Sequence, residues 1–238
     1  ILKLFFLLES NLLLKVKISD QTFQYFESKE IVPVVIIVIS LYMLYAILFK
    51  GNKEITLEIL CDAEKYLKQI QEKNTSKENL KNLFMAYGLF YNNQIEESIS
   101  YHGRVKYEDI NTTKHKFIYH MLSLKYSFDS NDVKGYKDNL DALRNSGVLK
   151  KVDTDELIFD VPLLLMNQEY DKAAELLVRL IPFQKKRYYI LELEYYLALC
   201  YKALGEKENY YAVLDFMTKK EFKIVYIYKC RKLLDEIK

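Results

Sequence analysis

Apolar residues recur at three- and four-residue spacing along most of this chain, and short polar breaks interrupt the pattern at nearly even distances. Leu89 to Tyr101, Leu164 to Leu177 and Leu199 to Leu214 each read apolar helix, polar turn, apolar helix. Turn signals stand at Asn92-Asn93, Asp129 to Asp132, Asn167-Gln168 and Leu204-Gly205-Glu206. Aligned on the small or branched residue preceding each turn (Ala86, Ser123, Val161, Ala198), the units follow one another at 37, 38 and 37 residues. A helical pair that cannot bury its own apolar faces stacks on copies of itself. The spacing therefore predicts about four helical hairpins over residues 79–238, with 221–238 as a solvating C-terminal cap. Ahead of them, Ile55, Ile59, Tyr66, Leu67 and Ile70 share one face of a predicted juxtamembrane helix over 53–73.

The pattern changes between Ile31 and Phe49, where nineteen residues, IVPVVIIVISLYMLYAILF, carry no charge. As a helix this stretch is about 28 Å long, close to the roughly 30 Å of a bilayer's hydrocarbon core. Thirteen of its residues are Leu, Ile, Val or Phe, which gives roughly −4 to −8 kcal/mol on an insertion scale. Pro33 falls in the first turn, where a missing N–H does least harm. The stretch predicts a transmembrane helix at 31–49, and the competing reading is a helix buried at the centre of the array. Residues 1–30 form a separate N-terminal segment whose opening, ILKLFFLL, reads as the tail of an earlier apolar segment.

Composition narrows the fold to all-α. Six Gly and three Pro in 238 residues are too few for a barrel or sandwich of tight hairpins. Lys+Arg 35 against Asp+Glu 33 leaves a formal charge of +2 with the signs interleaved, which is not the footprint of a nucleic-acid binder. Cys61, Cys200 and Cys230 are odd in number and widely spaced, so they read as packing residues in a reducing compartment. On that ground the repeats are expected on the cytoplasmic side.

Within the third unit, Asn167-Gln168-Glu169-Tyr170-Asp171-Lys172-Ala173-Ala174-Glu175-Leu176-Leu177 resembles the turn and second helix of a tetratricopeptide repeat. In the fourth, Leu197, Ala198, Tyr201 and Gly205 match that family's apolar, small, aromatic and glycine sites. The first unit offers Ala86 and Ser98 at the two small sites, and the second keeps Ser123, Tyr126 and Gly135. The period is longer than the family's 34 residues, and Pro162 falls inside the expected first helix of the third unit, predicting a kink or a late start. The resemblance implies a degenerate α-solenoid whose first helices line a groove. Projecting the family's groove-facing sites onto this chain gives Tyr87, Tyr91, His120, Ser127, Asp155, Tyr195 and Lys202 as partner-binding residues.

Reaction chemistry is not legible. His115 and His120 lie about 140° apart on a helix, off any shared metal face. Asp153, Asp155 and Glu156 cluster where a helix start attracts carboxylates. Lys185-Lys186-Arg187 reads as a solvated loop, and no phosphate loop, Gly-x-Ser-x-Gly or His-Glu-x-x-His occurs. The sequence thus predicts no enzyme, no cofactor or metal, and no small-molecule substrate. It predicts a membrane-anchored scaffold, held through 31–49, that binds a protein or peptide partner in the groove of its repeats. The alternative is a regulator whose array changes curvature on binding a peptide.

Overall fold

The computed structural model describes residues 15–17, 23–25, 40, 61–72, 77–152 and 155–237. The span predicted at 31–49 lies outside the described residues except for Ser40. Among those described, no helix is long and apolar enough to cross a membrane. The chain divides into two compact units, Ile1–Asn52 and Lys53–Lys238. In the first, β1 (Lys15–Lys17) and β2 (Phe23–Tyr25) pair antiparallel with Val16 opposite Gln24.

The second unit is all-α, as composition and periodicity require. Its helices are α1 (Ala63–Glu72), α2 (Glu78–Tyr91), α3 (Ile95–Gly103), α4 (Thr113–Asp129) and α5 (Val133–Asn145). They continue with α6 (Asp160–Met166), α7 (Tyr170–Leu180), α8 (Arg187–Leu204), α9 (Lys207–Thr218) and α10 (Val225–Asp235). Helices α2 and α3, α4 and α5, α6 and α7, and α8 and α9 pack as consecutive hairpins. Helix α6 starts late, after a 3₁₀ turn at Glu156–Phe159, and has only seven residues. Pro162 sits in its first turn, where no intrahelical donor is lost.

One backbone device makes all four hairpin turns. Asn93, Asn131, Gln168 and Gly205 all take the left-handed conformation, at φ 63°, 55°, 62° and 74°. In each turn the next residue donates its N–H to a carbonyl five residues back: Gln94 to Leu89, Asp132 to Ser127, Glu169 to Leu164 and Glu206 to Tyr201. The left-handed residue itself donates three back, as Asn93 does to Phe90 and Gly205 to Lys202. These paired bonds form a Schellman ending, which satisfies carbonyls that the last helical turn leaves without partners. Only Gly205 takes this backbone without a Cβ penalty; Asn tolerates it, and Gln168 takes it under strain.

Small residues let the hairpins close. Ala86, Ser98, Ala173 and Ala198 are fully buried, and the Ser98 hydroxyl donates to the Ala86 carbonyl at 2.6 Å. Gly88 serves the approach of α1 to α2: a Cβ there would lie 2.7 Å from the Leu67 side chain. Helix α1 thus packs on α2 within the second unit. Backbone bonds between Ala63 N and Lys223 O (2.9 Å) and between Lys223 N and Cys61 O (3.0 Å) tie its start to the segment leading into α10.

Helix α10 caps the last hairpin with Arg231, Lys232, Asp235 and Glu236 exposed, and it also reaches back to α2. It packs on α9, α8 and α2, and Val225, Tyr226, Ile227 and Cys230 are buried. Its apolar face is offered to first helices at both ends of the series, so it closes part of the space a groove would occupy. The three cysteines are buried and unbridged, and burial pushes each thiol up to about 12, in keeping with a packing role.

Candidate functional site

The first helices border a cleft of about 530 Å³. Its floor comes from the end of α2 (Tyr87, Tyr91), the first half of α4 (Phe117, Met121) and the start of α8 (Tyr188, Tyr189). These helices carry aromatic side chains on the face that meets their neighbours, so ring edges meet ring faces. Tyr91 lies 5.0 Å from Tyr87 and 5.6 Å from Tyr188, both near perpendicular, and Tyr188 lies 4.2 Å from Tyr189. Such pairs each contribute roughly 0.5–1.5 kcal/mol beyond their burial. Burial, ahead of the neighbouring phenols, holds Tyr91 and Tyr188 well above the ordinary tyrosine value.

The rim differs in kind. Lys114 of α4, Lys151 at the end of the 3₁₀ turn Leu149–Lys151, and Lys185 and Lys186 before α8 all border the cleft. Among the described lining residues the carboxylate is Asp155. Lys186 places its ammonium 5.8 Å over the Tyr189 ring. Phe183, in the 3₁₀ turn Ile181–Phe183, stands at the edge 80 % exposed.

On the other side of the same helices the space is shut. Lys125 of α4 is buried and ion-paired with Glu192 of α8, and it donates to the Tyr226 hydroxyl of α10 at 3.0 Å. Tyr196 donates to the same Glu192 oxygen at 2.9 Å. The Lys125 ammonium also faces the rings of Phe90, Tyr91 and Tyr226 at 5.6–5.7 Å. Burial pulls the Lys125 ammonium below the usual lysine value, while Glu192 pulls it back. The pair thus makes α4, α8 and α10 a single clasp, and its side chains reach no opening of ligand size.

The groove-facing residues projected from the repeat pattern fall into three groups. Tyr87, Tyr91 and Asp155 meet at the cleft, though Tyr91 is only 1 % exposed and acts as floor. Asp155 also caps its own 3₁₀ turn, accepting from the Leu157 N–H at 3.0 Å. His120 and Ser127 are buried instead of facing a groove. His120 Nε2 lies 3.0 Å from the Tyr107 hydroxyl, and the Ser127 hydroxyl accepts from Asn139 inside the α4–α5 hairpin. Tyr195 is half-buried, 5.8 Å from Tyr226, because α10 covers it. Lys202 is exposed beside a shallower cavity of about 420 Å³ and pairs with Glu236 at 3.5 Å.

Sequence reasoning missed the buried pair and most of the rim. The signal for the pair was available: Lys125 lies four residues after Met121 on an apolar helix face, and Glu192 stands between two tyrosine doublets. No signal placed Lys114 and Lys151 beside Lys185, since their approach depends on how three hairpins pack.

Among the described residues that line the cleft there is no His, Cys or Ser. Among the described residues, no three His, Cys, Asp or Glu side chains gather as metal ligands. What the arrangement offers is an aromatic floor of fixed shape within a cationic border. Compared with known proteins, the chain matches no family model, no curated protein and no solved structure.

Proposed function

We propose that this chain is a protein-interaction module: a degenerate array of tetratricopeptide-like hairpins that holds a segment of a partner protein in the cleft between its first helices. One observation carries the reading, the tyrosine-floored cleft of about 530 Å³ that α2, α4 and α8 line together. Its size falls in the roughly 300–1,000 Å³ range of ligand sites, and tyrosine provides large, rigid contact area with a polar tip. The repeat reading is supported by the four Schellman turns, whose left-handed residues follow one another at 38, 37 and 37 residues. The anchor rests on the uncharged stretch between Ile31 and Phe49. Tethering there raises the effective concentration of the module at a membrane, so contacts of micromolar strength hold a partner in place.

Panning the full chain against an unbiased peptide-display library tests the proposal. A shared motif is expected to emerge, and its binding is expected to weaken in Gln184→Trp, which fills the cleft from its edge. Failure of any motif to enrich, or a motif indifferent to Gln184→Trp and to Phe183→Ser, refutes it. Protease protection of the C-terminus in sealed vesicles reports which side of a membrane the repeats face.

A further inference from the structure

We infer that the hairpin array binds one internal water molecule between α4 and α8, held by the ammonium of Lys125 and the carboxylate of Glu192. The inference is independent of the interaction-module reading.

The short α6 makes the place for it. Helices α2, α4 and α8 have 14, 17 and 18 residues, whereas α6 has 7. So short a helix does not fill the space that its longer neighbours bound. The 3₁₀ turn Glu156–Phe159 and side chains of α4, α5 and α8 share what is left, around a cavity of about 20 Å³. Its lining includes Lys125, Tyr136, Phe159, Pro162, Glu192 and Tyr196. A water needs a site of roughly 10–15 Å³, so this one admits a single molecule. Met121 and Tyr189 line both the cavity and the cleft, which puts the water behind the cleft floor.

Polarity supplies the binding. The Lys125 ammonium carries three hydrogens and directs two of them at Glu192 Oε1 and, over 3.0 Å, at the Tyr226 hydroxyl. Glu192 Oε1 accepts again from the Tyr196 hydroxyl at 2.9 Å. The other carboxylate oxygen, Oε2, is buried and accepts from none of the described residues. A carboxylate oxygen buried without a donor is costly, and where a polar cavity adjoins it an ordered water meets the need. Here one molecule accepts the third Lys125 hydrogen and donates to the Glu192 carboxylate. Further acceptors stand in the lining. The Tyr136 hydroxyl gives its hydrogen to the Phe159 carbonyl at 3.1 Å and the Tyr196 hydroxyl gives its own to Glu192, so each keeps a lone pair for the water. That makes the two to four partners an internal water requires. An apolar occupant would leave Oε2 unmet.

The test uses the full 238-residue chain in nonionic detergent and the double variant Lys125→Met with Glu192→Leu. A high-resolution crystal structure of the parent is expected to show one ordered water in the cavity, within about 3.2 Å of Lys125 Nζ and of the Glu192 carboxylate. A cavity without ordered density, or a water there bonded to neither member of the pair, overturns the inference. In solution, magnetic relaxation dispersion of the solvent counts long-lived internal waters, and the parent is expected to hold one more than the double variant. Equal counts overturn the inference as well, because the pair then holds none. If the double variant does not fold, the crystal structure of the parent decides alone. Peptide panning bears only on the module reading, so either conclusion can fail without the other.

Discussion

Helices α4 and α8 each contribute to two regions of opposite character. Toward the cleft they present Phe117, Met121, Tyr188 and Tyr189 to an opening bordered by lysines. A turn or two further on they present Lys125 and Glu192 to each other, under Tyr226 of α10. Both regions are rich in tyrosine and both contain lysine. What separates them is whether another helix arrives. Where α10 packs, the lysine must find a carboxylate, because a buried ammonium without a partner costs several kcal/mol. At the cleft the lysines border an opening instead.

Removing one member of the closed region is expected to have the largest effect. Lys125→Met leaves Glu192 buried and unpaired, and stability by urea denaturation is expected to fall by about 3–5 kcal/mol. Adding Glu192→Leu is expected to restore most of it. A single variant that unfolds no earlier than the parent would show that the clasp carries no weight.

The floor and the edge of the cleft are expected to separate in the next comparison. Tyr91→Ala removes a ring packed among Tyr87, Phe90, Tyr188 and Tyr226, and is expected to cost about 3–5 kcal/mol. Phe183→Ala, at a position 80 % exposed, is expected to change stability by no more than about 0.5 kcal/mol while weakening peptide binding. If the two variants lose stability alike, the edge is part of the core and the contrast between floor and rim fails.

A pH titration is expected to act away from both regions. Burial holds His102 and His120 below the ordinary value near 6.5, and for His120 the adjacent His102 and Lys116 add to the effect. The unfolded chain therefore takes protons on these imidazoles before the folded one does. Their contribution to stability is full above about pH 6.5 and is lost as pH falls through that value toward the lowered folded pKa. The urea midpoint is expected to drop from neutral to mildly acid pH, with a smaller drop in His102→Gln with His120→Gln. A midpoint that rises on acidification contradicts the assignment.

The smallest expected effect tests the turns. Gln168 holds φ 62° where Gly205 holds 74° in the equivalent turn, so Gln168→Gly is expected to relieve about 1 kcal/mol of strain. For a chain of this size that corresponds to roughly 2–4 °C in melting temperature. Gly205→Ala is expected to shift it the other way by a similar amount.

The legible part of the fold is its local part. The spacing of Ala86, Ser123, Val161 and Ala198 located the hairpins, and the turn signals fell within a residue or two of the left-handed positions Asn93, Asn131, Gln168 and Gly205. Pro162 announced the late start of α6. The site was legible only in part: Tyr87, Tyr91 and Asp155 do reach the cleft. His120 and Ser127 do not, because on a helix one residue turns a side chain by 100° and a degenerate repeat does not fix that angle. Tyr195 is half-buried because Tyr226 of α10 packs against its ring.

By itself, then, the sequence determined that the chain after residue 79 forms helical hairpins at nearly even sequence spacing, because periodicity and turn chemistry act within a few residues. Only the tertiary structure decided which face of those hairpins stays open. That choice depends on α10 returning to pack on α2 and α8, and on three lysine-bearing segments arriving at one rim. Contacts between residues a hundred positions apart, such as Lys125 with Tyr226, leave no periodic mark in the sequence. They are selected by the burial and charge balance of the assembled core, which no single segment contains.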